Sequence, residues 1–361
     1  MKKIACFHLL NDYSGSPIVL KMVLRGLLNK GYHIDLVSSS GGVLDELGAT
    51  PLLKRHTYRY QFSTRAILTM LRYTAVQIYT FFLSFRFLPC RGMVFYINTL
   101  LPVGPALAAR IMGKRVVYHY HENADAKGKM YQTLCWLMQR LAHQIICVSA
   151  YQASFLKRKN NVTVISNAIP AELAERFQND TDRAFDQQNV LMLSSLKSYK
   201  GTAEFIRLAQ KMPQYRFTLV INDTQAQIEN YLAEQQLTVT PNLSVFPRQE
   251  DVAPFYNQAS IVLNLSHKSL FIETFGLTAL EAMTAGLPVI VPTVGGIAEM
   301  VEDDVNGYKI DVDDMDRIEE AINTLLTDKE LYSRLAKNAR TSSKLYGENT
   351  MIEKIAKLLD V

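Results

Sequence analysis

Short apolar runs of strand length recur along this chain, each followed by a longer stretch in which apolar positions return at helical spacing. The first run is Lys3–Leu9. A Gly/Ser loop (Asn11–Pro17), a helical pattern over Ile18–Lys30, the break at Gly31 and a second strand at His33–Ser38 follow. Further strands are predicted at Met93–Ile97, Arg115–Tyr120, Gln144–Val148 and Val162–Ile165, with helices between them. The second half repeats the pattern. Its strands are Asn189–Ser194, Arg216–Ile221, Leu243–Phe246, Ile261–Leu265 and Val289–Val291. Its helices are Gly201–Lys211, Thr224–Gln236, Asp251–Asn257, Gly276–Ala285 and Gly296–Glu302. Strands that alternate with helices imply α/β architecture, with parallel sheets covered on both faces. A polar stretch from Asn167-Ala168-Ile169-Pro170 to Gln188 separates the halves. The expected domains are therefore residues 1–168 and 169–348, each doubly wound and Rossmann-like, with a cleft between them.

With 361 residues, 48% of them hydrophobic and 20% charged, the chain can build two cores and is not disordered. Cys6, Cys90, Cys135 and Cys147 are scattered without metal-ligand spacing, which points to a reducing compartment. The Met1–Leu10 segment imitates a signal peptide, but its apolar run is short and meets Asn11-Asp12, so a strand is expected. No apolar stretch is expected to reach the roughly 18 residues that span a bilayer. Charge is lopsided. Residues 1–170 hold 21 Lys and Arg against 6 Asp and Glu, and Leu47–His121 contains no acidic residue. Such a half suits an anionic partner.

The densest chemistry lies in Glu273-Thr274-Phe275-Gly276-Leu277-Thr278-Ala279-Leu280-Glu281. One carboxylate precedes a helix, the other lies along it, and the backbone N–H groups of Gly276, Leu277 and Thr278 fall at the first turn, where an anion is favoured. Two acids that can each accept from a pair of hydroxyls, with an anion site between them, describe a pocket for a nucleotide sugar. The motif continues Ala282-Met283-x-x-Gly286-x-Pro288-Val289-Ile290, then Gly295-Gly296-Ile297-x-Glu299. It resembles the retaining glycosyltransferases of the GT-B fold, specifically the family called GT4. The resemblance is specific over residues 245–310 and recognisable over most of the chain. It implies a nucleotide diphosphate sugar donor, no metal or other cofactor, and a terminal segment (349–361) that packs back on the first domain.

Other groups take their roles beside that resemblance. Ser194–Gly201 leaves a strand and opens a helix, so Lys200 and the Gly201 backbone can meet a diphosphate and stabilise the leaving group. Lys200 as a plain solvated lysine is the competing reading. Relatives carry an Arg before this Lys-Gly pair. Here Ser195 stands at that position, and Lys197 offers a point charge instead of a guanidinium fork. His121, in Tyr118-His119-Tyr120-His121-Glu122, matches the family's strand-end histidine, which implies hydrogen bonding to the donor sugar; His119 reads better as packed. The backbone of the loop with Arg248 is implied to meet the base; the Asn11–Ser16 loop with Gly15 is a weak ligand signal, and a plain turn is an equally good reading of it. Gly295-Gly296 reads equally as a structural turn or as a ligand contact near the second acid, Glu281.

The resemblance implies catalytic roles for Glu273, Lys200 and His121, and donor contacts from Gly201, Arg248, Phe275, Gly276, Leu277, Thr278 and Glu281; Gly15, Ser195 and Lys197 join the candidate donor contacts by their places in the strand-to-helix loops. The implied reaction passes a sugar, most simply from a UDP-sugar, to a saccharide acceptor on a lipid carrier. This would occur in surface polysaccharide assembly at the cytoplasmic side of a membrane. A silent nucleotide-sugar binder, an epimerase and a phosphorylase remain alternatives. Between Arg65 and Phe87, apolar residues recur at helical spacing and Arg65, Arg72 and Arg86 recur in sevens. The segment 54–91 reads either as a core helix with a wet basic edge or as a contact with an anionic membrane. Nucleic acid fits poorly, because the aromatics follow helical period instead of forming a stacking platform.

Overall fold

The computed structural model describes residues 2–124 and 127–360. It divides into two compact units, 1–167 with 348–361, and 168–347.

In the first unit, β1 (Lys3–Phe7), β2 (His33–Ser39), β3 (Leu53–Tyr58), β4 (Val94–Asn98), β5 (Arg115–Tyr120), β6 (Gln144–Cys147) and β7 (Val162–Val164) form one sheet in the order β3-β2-β1-β4-β5-β6-β7. All pairs are parallel. Helices α1 (Gly15–Asn29), α2 (Ala66–Ser84), α3 (Val103–Ile111) and α4 (Lys129–Leu141) connect the strands, and α3 packs on both α2 and α4. The central strands are apolar on both faces, as a doubly covered parallel sheet requires. The terminal helix Glu348–Leu359 lays Ile352 and Ile355 against α1, and Asp360 accepts from the Tyr32 hydroxyl at 2.5 Å.

The second unit pairs β8 (Asn189–Ser194), β9 (Arg216–Ile221), β10 (Leu243–Phe246), β11 (Ile261–Leu263), β12 (Val289–Val291) and β13 (Gly307–Lys309), in the order β10-β9-β8-β11-β12-β13, again all parallel. In each sheet the strand order reverses once, between β1 and β4 and between β8 and β11. Ligands of open α/β sheets bind beyond the strand ends at such a reversal, where the loops diverge and leave a crevice.

Two expectations need correction. The Gly296–Glu302 helix is only a single tight turn, Ala298–Met300. The segment Ala66–Phe87 is helical throughout and is long and apolar enough, by length and composition, to cross a membrane. Scattered Thr, Tyr and Gln conceal that apolarity in the linear sequence.

Candidate active site

The loops leaving β8 and β11 meet at the reversal point of the second sheet. The β8 loop passes through Ser195 and a tight turn, Ser198–Lys200, into the helix Thr202–Lys211. Gly201 takes a left-handed φ of +70°, and a Cβ there would collide with the Leu265 carbonyl oxygen. Only glycine lets this loop close down on the β11 loop. That contact delivers Lys200 to Glu273, with which it forms an ion pair. The Ser266 hydroxyl donates to the same carboxylate oxygen at 2.8 Å. Tyr199 and Phe271 stack with centroids 4.5 Å apart, and the Lys200 ammonium lies 5.7 and 5.6 Å from those two rings. The cation is thus held by a carboxylate and two π faces. Burial pushes the Glu273 carboxyl up, but the Lys200 charge and the hydrogen bonds from Lys200, Ser266 and Asn264 outweigh it, so the group sits below its ordinary range.

Glu273 leads into the helix Leu277–Thr284. Its N-cap, Gly276, has φ +103° and no side-chain cap, and a Cβ would press 2.5 Å from Ile297. The first-turn N–H groups from Leu277 and Thr278 therefore lack a side-chain cap, in a position suited to an anion. Glu281, one turn on, accepts from the Tyr256 hydroxyl at 2.5 Å. Burial raises the Glu281 carboxyl to about 7, and the Tyr256 hydrogen bond only partly opposes this. Phe275 is buried against Tyr346, with centroids 5.8 Å apart, so its side chain packs and only its backbone faces the loop. The Gly295-Gly296 turn touches the first acid: the Gly296 N–H donates to the Glu273 carbonyl at 2.8 Å.

Asp223 ties two further loops together. Its carboxylate accepts from the Leu196 N–H at 3.0 Å, and its carbonyl accepts from the Arg248 N–H at 3.0 Å. The Arg248 and Lys197 side chains are exposed. In sequence terms Tyr256, Ser266 and Asp223 carry no motif. Their roles arise only when the loops converge, although the polar Asn264–Ser266 pair just beyond an apolar strand is a faint signal.

The first sheet's reversal point holds a separate histidine cluster. The His8 ring approaches Asn98 at 3.1 Å, and Asn98 Oδ1 meets His121 Nε2 at 3.0 Å. His119 bonds the Tyr96 hydroxyl at 2.7 Å, and its ring lies 4.1 Å from that of His121. His8 and His119 are buried, whereas His121 is partly exposed. Burial lowers the imidazole of His8 to about 4 and that of His119 to about 3. Burial, then the neighbouring His119 and His8, lower that of His121. The buried Glu122 carboxylate accepts from the Leu100 N–H at 3.1 Å and holds the loop in which Thr99 has φ +73°. Gly15 opens α1 beside the same strand ends and is exposed.

Two Rossmann-like units, each a parallel sheet whose strand order reverses once, are the architecture of the GT-B type. Comparison with known proteins agrees. The family model "Glycosyl transferases group 1" matches residues 174–342, and "Glycosyltransferase Family 4" matches residues 13–173. The chain belongs to this family of glycosyltransferases. An uncharacterized glycosyltransferase of Haemophilus influenzae is 23% identical over 66% of this chain and 68% of its own length. The capsular polysaccharide biosynthesis glycosyltransferase CapM of Staphylococcus aureus is 24% identical over 94% of this chain and 92% of its own. The crystal structure of Anabaena HepE in complex with UDP and glucose has the same fold. Its TM-score is 0.77 at 21% identity, covering 100% of both chains.

Proposed function

We propose that this glycosyltransferase moves a sugar from a UDP-sugar to a saccharide on a lipid carrier, keeping the anomeric configuration, in the assembly of a surface polysaccharide at the cytoplasmic face of the membrane. The observation that carries the reading is the Lys200–Glu273 pair at the β8/β11 reversal, one loop away from the start of the Leu277–Thr284 helix. A diphosphate would draw the Lys200 ammonium and the Leu277 and Thr278 N–H groups, and Lys200 would offset the charge that develops on the leaving group. Glu273, released from Lys200, would then accept from the sugar hydroxyls. Glu281, oriented by Tyr256, would accept from the two ribose hydroxyls. Retention would follow from same-face attack, with the leaving phosphate taking the acceptor's proton. The UDP held by HepE supports UDP as the nucleotide, and the place of CapM in capsular polysaccharide biosynthesis supports the pathway.

His121 is the candidate in the first unit for hydrogen bonding to sugar, and His121→Ala is expected to lower turnover with UDP affinity unchanged. No metal takes part in the proposed transfer, so EDTA is expected to leave the rate unchanged. The deciding experiment incubates the protein with UDP-sugars, with and without a lipid-linked saccharide, and follows UDP release. Release that requires the acceptor supports transfer. Donor binding with no release in either arm would make the protein a silent binder, and interconversion of the donor without acceptor would make it an epimerase.

A further inference from the structure

Helix α2 is inside out. Its buried face carries Val76, Gln77, Thr80 and Ser84, three of them polar. Its outer face carries Ile67, Leu71, Ile78 and Phe82, between 55% and 78% exposed. Spacings of four, seven and four residues put these side chains on a single stripe. An ordinary surface helix has the opposite pattern, and a stripe of this size has no reason to face water.

The polar face is anchored. The Gly104 N–H of α3 donates to Gln77 Oε1 at 2.9 Å, and the Thr80 and Ser84 hydroxyls donate to the carbonyls four residues earlier, at 2.7 Å each. Any side chain at Gly104 would collide with the Gln77 carbonyl. The helix therefore belongs to the helical layer of its domain and is held against α3 at Gln77, while the Thr80 and Ser84 bonds satisfy those hydroxyls within α2 itself.

Charge completes the picture. Arg65, Arg72 and Arg86 are exposed: Arg72 lies within α2, Arg65 directly precedes it, and Arg86 follows it in the tight turn Phe85–Phe87, its guanidinium 3.4 Å from His56. No acidic residue occurs between Leu47 and His121. The layer continues through α3, where Ile111 is 68% exposed, and α4, where Trp136 is 50% exposed with the Arg140 guanidinium 4.3 Å over its ring. An apolar stripe, flanking arginines and an exposed Trp–Arg pair match the boundary between headgroups and acyl chains.

We propose that the α2–α4 face docks on an anionic phospholipid bilayer, with α2 lying in the interface plane and its outer stripe inserted among the acyl chains. This does not depend on the donor reading, since no residue of the second unit takes part. A protein partner or a second copy could cover the apolar stripe, but an acid-free, arginine-flanked surface repels another copy of itself. The fixed polar face opposes a spanning orientation.

The test floats the full-length protein with vesicles of phosphatidylcholine, alone or mixed with phosphatidylglycerol. Wild type is expected to float with the mixed vesicles and to lose most of that binding at high salt. Leu71→Gln/Ile78→Gln/Phe82→Gln is expected to lower the bound fraction at least about tenfold, because each side chain withdraws apolar area from the acyl region. Its unfolding midpoint is expected to stay near that of wild type, because the three side chains face solvent. Arg65→Glu/Arg72→Glu/Arg86→Glu is expected to abolish the preference for anionic vesicles. The proposal is overturned if either variant floats like wild type. It is equally overturned if wild type stays unbound but changes from dimer to monomer in the glutamine variant, or if the membrane-bound protein resists alkaline carbonate extraction as a spanning helix would.

Discussion

Glu281 is an acid that burial holds well above the ordinary carboxylate range. Its carboxyl titrates near 7 in the folded chain, against about 4.3 in an unfolded one. The native state thus binds more protons than the unfolded state between those values, and stability falls as pH rises through that window. Glu281→Gln is expected to be more stable than wild type at pH 8, with the gap closing toward pH 4, as read by urea unfolding at a series of pH values. The same substitution is expected to weaken UDP binding. Ribose hydroxyls favour the ionised carboxylate, so nucleotide binding to wild type should release a proton near pH 7, a release absent from the variant. Titration calorimetry in buffers of different ionisation enthalpy measures it. Tyr256→Phe removes the one hydrogen bond that lowers this carboxyl. It is expected to move the pH dependence of UDP affinity upward; an unmoved profile would separate Tyr256 from the nucleotide site. Glu273 and Glu281 were legible as candidates because they stand within one spaced motif, and Lys200 because it ends the separate loop between a strand and a helix. Tyr256 was not, because a tyrosine in a short apolar helix looks like packing until the fold brings its hydroxyl to the acid.

At the scale of elements, the site depends on two loops held at close approach. Gly201→Ala forces a left-handed backbone on a residue with a Cβ and drives that atom into the Leu265 carbonyl. The expected cost is about 1–3 kcal/mol or more, together with loss of UDP affinity as Lys200 moves; thermal unfolding with and without UDP reports both. Central strands were readable because both their faces are apolar. The edge strand β3, Leu-Lys-Arg-His-Thr-Tyr, escaped because it has little apolar signal of its own and is completed by pairing with β2. The helices Met315–Thr327 and Lys329–Ser343 are absent from the predicted elements although Asp314 and Asp328 cap them and Ile318, Ile322, Leu325 and Leu326 recur at helical spacing in the first. The periodicity of α2 was legible but its direction was not. A 3.6-residue stripe marks a face without saying whether protein, water or lipid covers it.

For the whole molecule, the first unit is discontinuous in sequence. The terminal helix supplies part of the cover for α1, with Ile355 fully buried. Ile355→Ala is expected to cost about 2–4 kcal/mol, seen as a lower urea midpoint, and a shift of a few tenths would mean the helix is only loosely applied. Charge divides in the same way as the chain. The basic half carries the inverted helix and the acidic half carries the loops proposed to hold the donor. The most direct test of the donor site compares Glu273→Ala and Glu281→Ala with wild type for UDP affinity and for turnover. Glu281→Ala is expected to lose UDP affinity, while Glu273→Ala keeps UDP and loses turnover. Wild-type affinity and turnover in both variants would contradict the assignment of this site.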